Sequence, residues 1–223
     1  MYKRELSSLN YRDYANSVIF KPIIYGKVGI RCCHEDLSLV GRGRSACVFR
    51  IKNTDKVIKV FPPKFQHIAR LEGEIYESLG HLPQFPAIYE MGENYIVIDY
   101  IMGWTLFECL NKGIKINKRQ VEEIDRAIQL SREIGLNPSD IHLRNILITP
   151  DGGIKMIDVA RFRQTKPCRQ WYDLKAAYMR YYHSRYFPKK VPSGIIETVG
   201  ILYKRDWIPE MLIRKKKNVS HAD

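Results

Sequence analysis

Along the chain, the rhythm of apolar and polar positions changes near the middle. Leu37, Leu39 and Val40 precede Gly41, residues 46–51 are β-prone, Asn53-Thr54-Asp55 is turn chemistry, and residues 56–61 alternate again. This predicts an antiparallel meander. After Pro62-Pro63, the residues Ile68, Leu71, Ile75 and Leu79 fall at helical spacing, so a helix over 65–79 should lay one apolar face on that sheet and stop near Gly80. Two more strands follow at 87–91 and 95–100, turning at Gly92-Glu93-Asn94. Beyond Met102-Gly103 the spacing predicts helices over 104–112 and 118–134, the second ending at Gly135. Then Ile146-Leu147-Ile148, a Pro150 to Gly153 turn and residues 154–157 form a short hairpin, and a further helix starts at Trp171.

A sheet-rich first part and a helical second part imply an α+β protein of two lobes. Residues 1–102 hold an N-terminal extension and an antiparallel lobe with one main helix. Residues 103–223 form a short, mostly helical lobe, and 99–103 join the two. Residues 1–33 could add a helix or a strand to either lobe. No internal repeat or low-complexity tract interrupts this plan.

Composition and charge adjust the picture only in part. With 223 residues, 45% of them hydrophobic, the chain can bury a sizeable core. No run approaches the roughly 18 apolar residues of a membrane span, and the N-terminus lacks the apolar centre of a secretory signal, which points to a cytoplasmic protein. The five cysteines, Cys32, Cys33, Cys47, Cys109 and Cys168, are scattered without a C-x-x-C pair and read as reduced thiols. The net charge is +13, and residues 161–223, with fifteen Lys or Arg against five Asp or Glu, carry most of it. Such a basic third could contact a polyanion, or could be a solvated surface ending in the tail at 214–218.

Several polar residues stand where the pattern gives them little reason to be. Gly41-x-Gly43-x-x-Ala46-x-Val48 lies between two strands; glycines there let backbone N–H groups approach phosphate oxygens, although an ordinary hairpin explains the same pattern. Lys59 lies in the apolar strand Val57-Ile58-Lys59-Val60-Phe61, where an ammonium group needs an anionic partner unless it is an edge-strand lysine in solvent; Glu72 and Glu74 on the next helix are candidates. Asp140 and Asn145 enter the later hairpin and Asp158 leaves it. Asn145 and Asp158 are hard oxygen donors suited to Mg²⁺, which leaves Asp140 to accept a proton. Asp140 could also cap a turn and Asn145 could satisfy loop backbone groups, but the constellation together with Lys59 and the glycines favours chemistry.

Together these motifs resemble the protein-kinase-like superfamily, in that family's order, from about residue 37 to about residue 182. Gly41 to Val48 is similar to the glycine-rich loop, with Ala46 in place of the third glycine. Lys59 matches the lysine of V-A-I-K, and Glu72 best matches the helix glutamate paired with it. Residues 95–100 look like the last strand and hinge. Asp140 to Asn145 has the D-x-x-x-x-N spacing of the catalytic loop, and Asp158-Val159-Ala160 stands where D-F-G would be. The resemblance implies a two-lobed kinase-like fold with ATP between the lobes, adenine meeting the backbone of Asp99 and Ile101, and Lys59 on the inner phosphates. It also implies Asn145 and Asp158 on Mg²⁺ and Asp140 at the acceptor hydroxyl.

The departures bear on the acceptor. Pro138 replaces the histidine expected two residues before Asp140, so the loop must be braced from elsewhere. His142 stands where eukaryotic-type Ser/Thr kinases usually carry Lys, similar to atypical bacterial kinases, including RIO-like and lipopolysaccharide-core kinases. No A-P-E motif follows Asp158, and little room remains for an activation loop. The resemblance implies a small bacterial-type serine/threonine protein kinase. The alternatives are a kinase acting on a sugar or lipopolysaccharide-type small molecule, and a pseudokinase scaffold using its basic third to grip a polyanion.

Overall fold

The computed structural model describes residues 10–24 and 26–208; the basic tail at 214–218 lies outside them. The chain divides into two compact units, Met1–Ile101 with Asp158–Ala160, and Met102–Ile157 with Arg161–Asp223.

In the first unit, helix α1 (Tyr11–Ser17) is followed by the hairpin β1 (Ile19–Ile24) and β2 (Lys27–Cys32). Asn10 caps α1 by accepting from the Asp13 N–H. Strands β3 (Leu37–Arg42), β4 (Cys47–Ile51), β5 (Lys56–Val60), β6 (Ile88–Met91) and β7 (Tyr95–Asp99) form one antiparallel sheet in the order β3-β4-β5-β7-β6. Alternation sorts its side chains. Cys47, Phe49, Ile51, Ile58, Val60 and Val97 join one buried cluster with Ala15, Val18 and Val28, so the N-terminal extension covers one face of the sheet. Both options left open for residues 1–33 occur, and in the same unit. Helix α2 (Gln66–Leu79) packs against β6 and β7, burying Ala69, Glu72, Gly73, Ile75, Tyr76 and Leu79. Phe49 and Ile58 are fully buried, and each such side chain contributes about 1.5–3 kcal/mol of hydrophobic stabilisation.

The second unit departs from expectation at its start. Trp104 does not open a helix: β8 (Trp104–Thr105) pairs with β9 (Ile146–Ile148), which pairs with β10 (Ile154–Met156). Gly103 (φ 156°) makes this possible, because a Cβ there would lie 2.3 Å from the Ile148 carbonyl oxygen. Helix α3 (Leu106–Lys112) then begins on a capping box in which the Thr105 hydroxyl accepts from the Glu108 N–H and the Glu108 carboxylate accepts from the Thr105 N–H. It ends at Gly113 (φ 77°). Helix α4 (Lys118–Glu133) has an equivalent box between Asn117 and Gln120. Asp125 on its half-buried side accepts from Trp171 Nε1 at 2.7 Å and also binds Lys175, fixing α5 (Gln170–Ala177). A π-type stretch, Tyr178–Tyr182, follows.

Helix α6 (Ser193–Lys204) was not predicted. None of its residues is buried, and Ile195, Val199 and Ile201 are about half exposed. All five cysteines are free thiols, and no helix among the described residues is long and apolar enough to cross a membrane.

Candidate functional site

In the first unit, strand alternation turns Lys59 away from the cluster that holds Ile58 and Val60 and towards α2. Its ammonium nitrogen lies 2.7 Å from both oxygens of Glu72 and 3.1 Å from Asp158 Oδ1. Of the two glutamates left open by the sequence, Glu72 shares the buried face of α2 with Ile75 and Tyr76. Glu74 points outward and pairs with Arg70 at 3.0 Å. Glu72 has no exposed surface, and Lys59 keeps 12% of its side-chain exposure.

Burial opposes the charge on Lys59, but the carboxylates of Asp158 and Glu72 outweigh it and raise its pKa. Glu72 is pushed up to about 7 by burial, with Lys59 pulling in the opposite direction. The pair is therefore a charge cluster whose ionisation depends on both partners.

Tyr76 is a site residue that the motif spacing did not mark. Its buried hydroxyl accepts from the Asp158 N–H at 3.2 Å. Burial, then the charges of Glu72 and Asp158, hold its pKa well above the usual range, so it stays a neutral phenol. The available signal was its position four residues after Glu72, which places both on one face of α2. Asp158 itself has φ 60°, an unfavourable backbone for a residue with a Cβ.

The glycine segment forms the tight β3–β4 turn. The Gly43 N–H donates to Ala46 O at 2.8 Å and Gly43 O accepts from the Val28 N–H at 3.0 Å. Gly41 lies opposite Val48, beside a register shift between Leu39 and Gly41. Neither glycine has a positive φ. Ala46 is buried and Val48 half-buried. At the other end of the sheet, the Asp99 N–H donates to Ala87 O, while its carboxylate accepts from the Ala87 N–H at 2.8 Å and from the Tyr89 hydroxyl at 2.7 Å. These bonds fix the backbone just before Ile101, which is half-buried.

In the second unit, the loop from Asp140 to Asn145 is closed upon itself. Asn145 Nδ2 donates to Asp140 O at 3.1 Å, the Asn145 N–H donates to His142 O at 2.9 Å, and Asn145 O accepts from the Ile157 N–H at 2.9 Å. The amide nitrogen is thus engaged, and Asn145 Oδ1 is the end suited to a cation. Asp140 also has φ 60°. Its carboxylate lies 3.5 Å from Arg161 Nε.

Arg144 stacks its guanidinium 3.5 Å above the Phe107 ring and pairs with Glu197 of α6 at 2.8 Å. The Phe107 N–H donates to Leu143 O. The brace that Pro138 cannot provide comes from its neighbour. The Asn137 N–H donates to Phe162 O at 2.6 Å, and Asn137 Nδ2 donates to Gln164 O at 2.7 Å and to Lys166 O at 3.0 Å.

A carboxylate at Asp158 and an amide oxygen at Asn145 are the donor types that a hard divalent cation prefers. No group of three or more His, Cys, Asp or Glu able to hold a metal exists among the described residues. Each donor type by itself suits Mg²⁺, which takes few protein ligands and draws the rest from phosphate and water.

No family model matches the chain. It is 44% identical over 188 residues to a Bacillus subtilis (strain 168) protein provisionally named serine/threonine-protein kinase YrzF, covering 83% of this chain and 87% of that one. It is 29% identical over 138 residues to a Lactococcus lactis subsp. lactis (strain IL1403) protein provisionally named serine/threonine-protein kinase PknB, covering 53% of this chain and 22% of the relative. Serine/threonine-protein kinase PknA of Mycobacterium tuberculosis (strain ATCC 25618 / H37Rv) is 28% identical over 109 residues, 43% of this chain and 25% of its own length. The likeness to the Bacillus protein is nearly end to end, whereas the other two share only a segment with this chain.

Proposed function

Because the chain belongs to the protein-kinase-like superfamily, we propose that it is a small serine/threonine protein kinase that moves the γ-phosphoryl group of ATP onto a protein hydroxyl with the help of Mg²⁺. The observation that carries this reading is the Lys59 ammonium held by both oxygens of Glu72 and by Asp158. A buried lysine clamped by a carboxylate is costly to build, and it serves to aim a fixed positive charge.

In this reading Lys59 meets the inner phosphates and the glycines of the β3–β4 turn let the backbone come close to them without a Cβ in the way. Asp99 and Ile101 offer backbone to adenine. Asp158 and Asn145 are the oxygen donors to Mg²⁺, which when bound offsets the charge of the phosphates. Asp140 takes the proton of the acceptor hydroxyl as its oxygen bonds to the γ-phosphorus. The bond from that phosphorus to the bridging oxygen breaks, and its electron pair leaves with ADP. Tyr76 keeps the Asp158 backbone in place, and the bonds of Asn145 keep the Asp140 loop closed.

The test is transfer of labelled γ-phosphate from ATP to a mixture of generic protein substrates. The wild-type chain with Mg²⁺ should label protein, whereas Lys59→Met and Asp158→Asn should not. Equal labelling by Asp158→Asn would remove the metal assignment, and labelling of only small molecules would move the acceptor out of the protein class.

A further inference from the structure

We infer that residues 161–169 form a fixed basic strip that reads the acceptor, so that the protein substrate presents its hydroxyl among acidic side chains. The inference rests on Asp140 as the group that receives the acceptor's proton, and it adds the chemical class of the substrate.

The segment from Arg161 to Arg169 contains Arg161, Arg163, Lys166 and Arg169 and no acidic residue. All four are exposed. An exposed run of cations is ordinarily a solvated surface, but two features set this one apart. First, it is tied to the loop that carries Asp140. Asn137, three residues before Asp140, donates hydrogen bonds to the carbonyls of Phe162, Gln164 and Lys166, so the strip's backbone is held beside the loop without help from a helix or strand.

Second, its leading cation already touches the acidic group in question. Arg161 Nε lies 3.5 Å from Asp140 Oδ2, an ion pair too long to be a good hydrogen bond, with 55% of the Arg161 side chain exposed. The guanidinium therefore lies at the carboxylate with donors left to turn outward. An incoming peptide that carries Asp or Glu next to its hydroxyl would meet these cations as it meets Asp140. A basic peptide would meet repulsion from the same groups, which gives selectivity as well as attraction.

The experiment uses the whole chain and three peptides that share one central serine. They are flanked by glutamates, by lysines or by neutral residues. The glutamate peptide should be phosphorylated with a kcat/KM at least about ten-fold above the lysine peptide, the preference shrinking as salt rises because the contacts are exposed. The double variant Lys166→Glu with Arg169→Glu should lose or reverse that preference while its rate on the neutral peptide stays as in the wild type. Transfer that ignores flanking charge, favours the lysine peptide, or keeps its preference in the double variant overturns the inference and leaves the kinase reading standing. Absence of transfer to all three peptides and to generic protein removes the kinase reading itself, and the inference with it.

Discussion

Lys59 Nζ is equidistant, at 2.7 Å, from the two carboxylate oxygens of Glu72, and Glu72 is fully buried. Removing the lysine takes the hydrogen-bonding cation from a fully buried acid, which must then stay charged without it or take up a proton, so Lys59→Met should destabilise the fold by about 3 kcal/mol near neutral pH. It should also abolish phosphoryl transfer. Glu72→Gln should be milder for stability, since a neutral amide is cheaper to bury than an unpaired charge. Urea unfolding of the two variants beside the wild type checks the ranking.

The same pair sets a pH dependence. Glu72 is raised from its ordinary 4.5 to about 7 in the folded protein, so the native state binds this proton more tightly than the unfolded chain. The stability it contributes is complete below about 4.5 and is lost as pH rises through about 7. Lys59 is also raised, so its own contribution persists until alkaline pH. Without Lys59 the carboxyl group is pushed up further, because the charge that pulled it down is gone. The urea midpoint of Lys59→Met should accordingly fall more steeply with pH than that of the wild type between about 5 and 8. Parallel curves would mean that Glu72 is not coupled to Lys59 in this way.

Asp140 and Asp158 both adopt φ 60°, where a Cβ is strained and glycine is not. At Asp140 the strain separates activity from stability. Asp140→Gly should be more stable than Asp140→Ala by about 1 kcal/mol, although both lack the carboxylate. Both should transfer phosphate at least about a hundred-fold more slowly than the wild type, the usual scale for losing a general base. Thermal unfolding and single-turnover labelling measure the two effects independently.

What could be read from the sequence follows the range of the interactions involved. The strand and helix rhythm of the first unit is local, so the predicted 46–51 and 65–79 correspond to Cys47–Ile51 and Gln66–Leu79. Lys59 was conspicuous because a charge interrupts an apolar strand, but choosing Glu72 over Glu74 required knowing which face of α2 is buried. Trp104 was misread because a two-residue strand has no period to detect. Its partner Ile148 is more than forty residues away, and Gly103 was the only local hint. Residues 1–33 were illegible for a similar reason, since Ala15 and Val28 acquire their burial from Phe49 and Val97. Asn137 carries no mark in the sequence pattern, because its three carbonyl partners lie 25–29 residues further on.

Asn137 offers the last test, since its side chain and N–H tie three carbonyls of a segment that has no regular structure of its own. Asn137→Ala keeps the backbone bond to Phe162 O but deletes both side-chain bonds, to Gln164 O and Lys166 O. Each is partly exposed, so the global loss should be modest, about 1–2 kcal/mol. Local opening should change more, because a segment without helix or strand bonds opens at low free-energy cost once its anchors go. Trypsin reports this directly: Arg161, Arg163 and Arg169 are exposed, whereas Lys166 precedes Pro167 and resists cleavage. Under native conditions the variant should be cut after these arginines at least about five-fold faster than the wild type, with the Asn137→Asp variant intermediate or as fast because a carboxylate cannot donate to the carbonyls. Unchanged cleavage in Asn137→Ala would show that the strip is held by something other than this residue.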